Sequence, residues 1–315
     1  MSQTIGSMPN LVKTRIDKVV KPEFDRELEP EEVLATNGIF FKQDTIDRNA
    51  ITIEEYSGVG AFTAHNELET IEEATVRAAN LTTYTVKEIK RKLRLSREFW
   101  RDDLHSTSQL SMQQFGVRAR TSRDKIAFAD TYGDAFSGTV TPDAAALISN
   151  SHTNLKGDTI DNLETGALTV ANLITVIRKL RIQKAQDGEV GAHNPVGLLV
   201  PPALWDDAVV ITESELKSGS TDNDTNFLSN KYPGMTVGTS VFLDSAYNSI
   251  NTNTDTSYFV VGRFHGVKRW VREGLNSDLL LPSMIEGDEY VYKARFAEMT
   301  GATKWEGILG SNGTT

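Results

Sequence analysis

No cysteine occurs among the 315 residues. That excludes disulfides, thiolate metal sites and a cysteine nucleophile, and it fits a protein made in a reducing cytoplasm. No apolar run approaches the roughly 18 residues that would cross a bilayer, so no membrane partner is expected. The first residues, MSQTIGSMPNLVK, contain no apolar h-region, and no secretory leader is expected. Basic residues are outnumbered, 33 against 43 acidic ones, and a formal charge of −10 lacks the footprint of a dedicated nucleic-acid binder. Such a chain repels nucleic acid on average, which does not stop it from enclosing some.

Signatures of chemistry are also missing. There is no phosphate-binding loop, and Gly58-Val-Gly60 lacks the third glycine of a dinucleotide fingerprint. No nucleophile elbow is present. The histidines His65, His105, His152, His193 and His265 are scattered without metal-ligand spacing and read as ordinary surface or core residues. Asp222-Asn223-Asp224-Thr225-Asn226 begins like a calcium loop, but Phe227 replaces the required glycine and Pro233 the bidentate glutamate. No catalytic, cofactor-binding or metal-binding residue is nominated.

What remains is an ordinary globular composition, 39% hydrophobic and 24% charged, long enough for two lobes. Residues 1–45 read as an extended N-terminal arm, because Pro9, Pro22 and Pro30 discourage a continuous helix. Residues 50–56 and 83–95 read as the two strands of a long hairpin that buries too little apolar surface to stand alone. Its charges are sorted. Glu67, Glu69, Glu72 and Glu73 make the tip acidic, whereas Lys87, Lys90, Arg91, Lys92, Arg94, Arg97 and Arg101 make the base basic. By alternation Lys90, Lys92 and Arg94 share one face, and Leu93 and Leu95 the other. The expectation is that the basic base meets the acidic tip of a neighbouring copy. Glu67, Glu69, Glu72, Glu73, Lys87, Lys90, Lys92, Arg94 and Arg97 are therefore the candidate inter-subunit contacts.

The spacing then predicts a helix over 108–136, roughly 43 Å long. Its seam of Met112, Phe115, Ala119, Ser122, Ile126, Ala129, Gly133 and Phe136 runs in steps of three and four, and its small residues suit packing within one lobe. A second helix is expected around Leu173–Arg181, a buried strand at 196–200 ended by Pro201-Pro202, and a short helix at 203–212. Residues 213–233 read as a long surface loop. The last third reads as strands at 236–243, 258–262, 266–272 and 289–298, with the terminal GSNGTT frayed.

The order of these parts resembles the tailed-phage major capsid protein, whose fold is the Hong Kong 97 (HK97-like) type. Local text agrees. Ile148-Ser-Asn-Ser-His152, Gly157-Asp-Thr and Leu168-Thr-Val-Ala-Asn-Leu173 look like the entry to that family's axial domain. Leu198-Leu-Val-Pro-Pro-Ala-Leu204, with Ala208 and Ile211, is similar to its strand–helix junction. Asp288-Glu-Tyr-Val-Tyr-Lys-Ala-Arg-Phe296 and Gly301-Ala-Thr-Lys-Trp-Glu-Gly307 resemble its closing segment. The resemblance covers the chain from about residue 40.

It implies an α+β chain divided into an N-terminal arm (1–45), an extended loop or E-loop (46–104), a spine helix opening the peripheral (P) domain (105–149), an axial (A) domain (150–262) and a returning β-segment of the peripheral domain (263–315). It implies a non-enzymatic structural protein of the virion, without cofactor, assembled in the host cytoplasm. The shell would be built from pentamers and hexamers around double-stranded DNA that is touched only nonspecifically. Scaffolding and portal proteins are expected partners, with a decoration protein as a further one. No sustained heptads occur in the first 45 residues, so scaffolding is expected as a separate protein or as a segment already removed. Two alternatives stand beside this reading. One is an encapsulin-like compartment shell; the other is a carboxylate-dependent hydrolase with its cleft beside 213–233.

Overall fold

The computed structural model describes residues 9–26, 32–66, 70, 71, 73, 76, 78–96, 98, 99, 102, 107–138, 141–215, 225–247, 255–280 and 289–313. Two sheets carry the body. The first has four strands, β1 (Lys42–Thr45), β4 (Lys87–Ser96), β11 (Val267–Leu280) and β12 (Glu289–Ala302), in the order β1-β11-β12-β4. The second has five, β7 (Leu163–Glu164), β8 (Pro195–Val200), β9 (Thr236–Thr239), β10 (Tyr258–Gly262) and β13 (Ile308–Ser311), in the order β7-β13-β10-β8-β9. A separate two-stranded hairpin pairs β2 (Ala50–Tyr56) with β3 (Ala78–Thr85), and β5 (His152–Thr153) pairs with β6 (Thr159–Ile160).

Every residue of β10 is buried, because both faces of the five-stranded sheet are covered. Leu198, Val200, Tyr258, Val260 and Leu309 point to one side, under helix α3 (Val170–Ile182) and helix α4 (Trp205–Glu213), which contribute Leu173, Val176, Leu180 and Ala208. Leu199, Phe259, Val261 and Ile308 point to the other side, where Phe40, Phe41, Phe128 and Tyr132 fill the space. Phe41 meets Phe128 and Tyr132 edge-to-face at 5.1 and 5.5 Å. The Tyr132 hydroxyl donates to the Phe40 carbonyl at 2.8 Å.

The N-terminal arm is not extended. Pro9–Asp25 form helix α1. Pro9 occupies the first helical position, where no donor is needed, and Pro22 falls in the last turn. The prolines are overruled by packing: Ile16, Val20 and Phe24 form a buried stripe against helix α2 (Thr107–Ala129) and the four-stranded sheet. Ile16, Val20, Met112, Phe115, Tyr292 and Ala294 make that core. Asp17 accepts from Ser277 at 2.6 Å and Tyr292 at 2.8 Å, pinning α1 to the sheet. Gly116 permits the close approach, since a Cβ there would lie 2.5 Å from the Val20 carbonyl oxygen.

The spine α2 is shorter than expected, about 34 Å from its 23 residues. It stops where the Thr131 hydroxyl donates back to Ala127 at 2.7 Å and Tyr132 turns into the core. Its buried face follows the expected seam only in part: Met112 and Phe115 are buried, as is Gly133 beyond its end. Ala119, Ser122, Ile126 and Ala129 are only half-buried, whereas Arg120, Arg123 and Asp124 are buried. Arg123 Nε donates to Asp124 at 3.0 Å, and Asp124 also accepts from the Ala35 amide at 3.1 Å. The Arg123 guanidinium lies 4.7 Å over the Phe24 ring and reaches the Phe24 carbonyl at 3.4 Å. Arg120 donates to the carbonyls of Glu23 and Arg26, both at 3.2 Å. These cations satisfy the open carbonyls at the end of α1, the role a basic C-terminal cap plays.

Other expectations are corrected. The predicted strand 83–95 is two strands in different sheets, broken at Val86, whose amide bonds to Asn49. Predicted strand 236–243 ends in a short helical turn at Val241–Leu243. The predicted loop 213–233 contains helix α5 (Phe227–Lys231), capped by the Asn226 side chain accepting from Leu228 at 3.0 Å. The returning segment 263–315 crosses between sheets, since β13 joins β10 and β7. The terminal residues are correspondingly not frayed throughout: Gly310 and Ser311 are buried in β13.

Two substitutions test this construction. Arg123→Ala leaves the Asp124 carboxylate buried without its cation and is expected to lower unfolding free energy by about 3–5 kcal/mol, read by urea denaturation. Gly116→Ala pushes on the α1 backbone and should cost about 1–3 kcal/mol, with hydrogen exchange faster in α1 than in β10.

Candidate assembly surfaces

Two side chains fasten the root of the hairpin β2–β3 to the body. The Tyr84 hydroxyl donates to the Ala302 carbonyl at 2.6 Å while its ring stacks on Trp270 at 5.4 Å. Burial raises the Tyr84 hydroxyl to about 12. On the other strand Glu55 is buried and accepts from Asn80 at 3.3 Å and Gln186 at 3.0 Å. Beyond Tyr56 the chain carries apolar side chains into solvent: Phe62 is 99% exposed and Ile71 is 78% exposed, with Val59 and Val76 also exposed. Several large apolar groups on one extension mark a surface that another body covers. Of the acidic tip, Glu73 is exposed; Glu67, Glu69 and Glu72 lie outside the described residues.

The basic run belongs to β4, the edge strand of the four-stranded sheet. Alternation works as expected: Ile89, Leu93 and Leu95 turn inward while Lys90, Lys92 and Arg94 face out. Lys87 has the opposite parity and binds Asp130 at the end of α2 at 2.6 Å, so it is engaged within its own chain. Arg97 lies outside the described residues. Register adds two residues that the sequence reading missed. Lys92 stands directly opposite Lys293, and Lys90 opposite Arg295. Lys293 and Arg295 are exposed while Tyr292, Ala294 and Phe296 between and beside them are buried against the helices. A K-x-R alternation in β12 was visible, but its register against β4 was not.

Four cations thus share the centre of one sheet face in a chain of net charge −10. Acids stand at the rim: Glu88 holds Lys90 at 2.9 Å, Glu289 holds Arg94 at 3.4 Å and Glu273 holds Arg295 at 3.4 Å. Exposed pairs of this kind contribute little each. Asp278 lies across from Lys293 on β11, yet among the described residues neither Lys92 nor Lys293 has a carboxylate at ion-pair distance. Like charges directly opposite in a sheet are destabilising, and a fold bears that cost most readily where a partner removes it.

The interior holds a histidine–carboxylate contact that resembles a catalytic dyad and, beside Arg123–Asp124, a second buried arginine–carboxylate pair. His152 Nδ1 lies 2.8 Å from Asp143, its Nε2 lies 3.3 Å from the Leu147 carbonyl, and its ring stacks on Trp305 at 5.3 Å. Burial works to raise the Asp143 carboxyl, but hydrogen bonds from His152 and Thr141 outweigh it and hold the group below the usual range. Both side chains are sealed from solvent, so the pair is a core strut. Arg269 binds Glu298 through Nε at 2.9 Å and through a second N–H, and burial keeps the Glu298 carboxyl raised despite Arg269. Among the described residues no group of three or more His, Cys, Asp or Glu is placed to hold a metal ion, and no helix is long and apolar enough to cross a membrane. The cleft of the hydrolase alternative would adjoin 213–233, of which 216–224 lie outside the described residues.

A family model described as phage capsid protein matches residues 80–310. No curated protein matches the sequence. Among solved structures, the virus-like particle from Pyrococcus furiosus is similar with a TM-score of 0.55 at 10% identity, over 95% of this chain and 98% of that one. The capsid of Cyanophage P-SCSP1u reaches 0.55 at 12% identity over 92% and 93%. The capsid of Myoviridae phage XM1 reaches 0.54 at 11% over 91% and 94%. At such identities these likenesses are of fold.

Lys92→Glu places a carboxylate opposite Lys293. The expected outcome for the isolated chain is an unfolding free energy higher by roughly 0.2–1 kcal/mol, measured by urea denaturation at low salt, with the gain shrinking as salt is added.

Proposed function

The chain belongs to the phage capsid protein family, and from that premise we propose how it builds its shell. It is a capsid shell protein of the α+β Hong Kong 97 fold. The shell is an icosahedral head of pentamers and hexamers enclosing double-stranded DNA. The axial domain, about 150–262 together with β13, surrounds each local symmetry axis. The arm lies across a neighbouring copy.

The observation that carries this arrangement is the cation square of Lys90, Lys92, Lys293 and Arg295, in which Lys92 and Lys293 have no carboxylate at ion-pair distance among the described residues, set against the acidic tip Glu67, Glu69, Glu72 and Glu73 of the same sequence. Bringing the tip of one copy onto the sheet of the next relieves the like-charge opposition. It also offers Phe62 and Ile71 a surface to cover them. Arg94 extends the basic face along β4, while Lys87 stays with Asp130. A net acidic wall meets DNA only nonspecifically, because strong phosphate contacts need a basic footprint. Scaffolding and portal proteins, a decoration protein, and assembly in the host cytoplasm complete the reading.

The compartment-shell alternative would share this fold, but the family assignment favours the phage head. Contents decide: particles holding nucleic acid support the head, and particles holding protein cargo without DNA support the compartment.

Reversing Glu69, Glu72 and Glu73 to Lys is expected to cut assembly at least tenfold in moderate salt while the chain stays soluble, read by sedimentation velocity and negative-stain microscopy. Adding Lys92→Glu and Lys293→Glu to the reversed chain should restore particles. If the reversed chain assembles normally, the tip-to-sheet pairing is wrong although the shell reading survives. A monodisperse monomer at high concentration in the unaltered protein would overturn the shell reading itself.

A further inference from the structure

At the root of the hairpin a hollow of about 450 Å³ is lined by Glu55 and Tyr56 of the arm and by Gln186, Lys268, Lys304 and Glu306 of the body. Gln186 bridges two carboxylates there. Its side-chain amide donates to Glu55 at 3.0 Å, and its backbone amide donates to Glu306 at 2.8 Å. Lys304 is committed to Glu306 at 2.9 Å. Glu55 therefore has two neutral amide donors, Asn80 and Gln186, and among the described residues no cation at ion-pair distance. The side-chain oxygen of Gln186 is buried and has no hydrogen-bond partner, which leaves an acceptor beside Glu55 that a carboxylate cannot serve and a carboxylic acid can. The arm passes tightly here: a Cβ on Gly58 would lie 2.3 Å from an Asp187 carboxylate oxygen.

We infer that the Glu55–Gln186 contact is a proton-controlled latch, closed on the body when Glu55 carries a proton and loosened when Glu55 is ionised. The elements around it decide the direction. Asp143 behind the hollow and Glu306 beside it oppose a second negative charge, as do Asp187 and Glu54 at its edge. His152 opposes this from the interior, Lys268 and Lys304 sit at the wall, and Tyr84 stands across the hairpin. Burial pushes the Glu55 carboxyl up to about 7, with Asp143 and Glu306 adding to the rise and Asn80 and His152 working against it.

The docked root thus holds its proton to higher pH than a released one, whose carboxyl returns to the ordinary value near 4.5. Docking is fully favoured below that ordinary value, and the advantage is lost as pH rises through about 7. From those two values the release equilibrium should grow by about tenfold between pH 6 and pH 8. The latch operates within one chain and does not depend on which neighbour the arm reaches.

The test is hydrogen exchange of the full-length unassembled chain, with rates corrected for intrinsic pH dependence and read on peptides covering 50–56 and 78–85. Protection of the hairpin root should fall about tenfold from pH 6 to pH 8, while peptides from β8 and β10 keep theirs. Glu55→Gln, which mimics the protonated acid, should stay protected at pH 8 and show no pH dependence. Root protection that is unchanged across this range in the unaltered chain would overturn the latch. So would a Glu55→Gln chain that retains the original pH profile. The β8 and β10 peptides show whether either chain is folded, and the unaltered protein alone decides the question if the variant is not.

Discussion

Arg123 and Asp124 are neighbours in sequence and partners in a place without water, and several separate segments are fastened through them. Two charges cannot be left in such a place unpaired; the cost of removing one partner is several kcal/mol. That constraint works as a fastening. Asp124 needs donors and takes the Ala35 amide, which fixes the chain after the arm. Arg123 and Arg120 need acceptors and take the open carbonyls at the end of α1. The segment just before Ala35 then runs on to β9, where the Val33 amide donates to the Thr239 carbonyl at 2.7 Å. One polar cluster on the spine thereby ties the terminal helix and the edge of the five-stranded sheet to a single rod. Apolar packing supplies most of the burial around it, but it is less particular about register. The charges state which carbonyls and which amide must arrive.

The surface reverses this logic. Inside, opposite charges are paired and buried; outside, like charges face each other across β4 and β12, and Phe62 stands in water. Neither feature helps an isolated chain. On the proposed tip-to-sheet pairing a second copy would cover both, so stability given up by the chain alone would be recovered on assembly. A sheet edge bearing Lys90, Lys92 and Arg94 has a second use, since charged edges resist indiscriminate strand pairing. Affinity for a specific acidic neighbour and resistance to random stacking are therefore compatible in the same residues.

Much of this was legible in the sequence, and the divisions follow physical lines. Strand β10, helix α3 and the inward turn of Leu93 and Leu95 came directly from periodicity, because apolar residues dominate at least one face of each, although Lys87 and Arg91 share the parity of Leu93 and Leu95. The spine was found and the first half of its seam, Met112 and Phe115, is buried as read, but the second half was misread, since burial there includes Arg120, Arg123 and Asp124, and an apolar-stripe reading passes over charged residues whose partners are some 90 positions distant. Pro22 concealed α1, whose stability comes from tertiary packing that propensity does not see. The hairpin was recognised, but the switch of sheets at Val86 depends on two pairings that leave no local mark. For the candidate site, half of the cation square was visible in β4; Lys293 and Arg295 required the register of β12. The exposure of Phe62 was not legible at all, because an apolar residue in a sequence looks the same whether it is inside or out.

The body and the arm are held by different amounts of structure, and that difference suits a shell. A chain that meets its neighbours at more than one angle must vary somewhere without unpicking its core. The body resists variation: its two sheets share the Phe40, Phe41, Phe128 and Tyr132 cluster, and its charges are locked in pairs. The hairpin has no such anchorage. It forms its own small sheet and meets the body through Tyr84 on Trp270 and Ala302, and through Glu55 on Gln186. On the proposed arrangement, an arm fastened through so narrow a root would follow a neighbour while the lobes remain unchanged. Of the two contacts, the tyrosine stays neutral throughout the ordinary pH range and acts as a fixed pivot. The carboxyl is the one whose hold varies, and a buried acid among other acids is a setting in which a single proton has leverage over a whole arm.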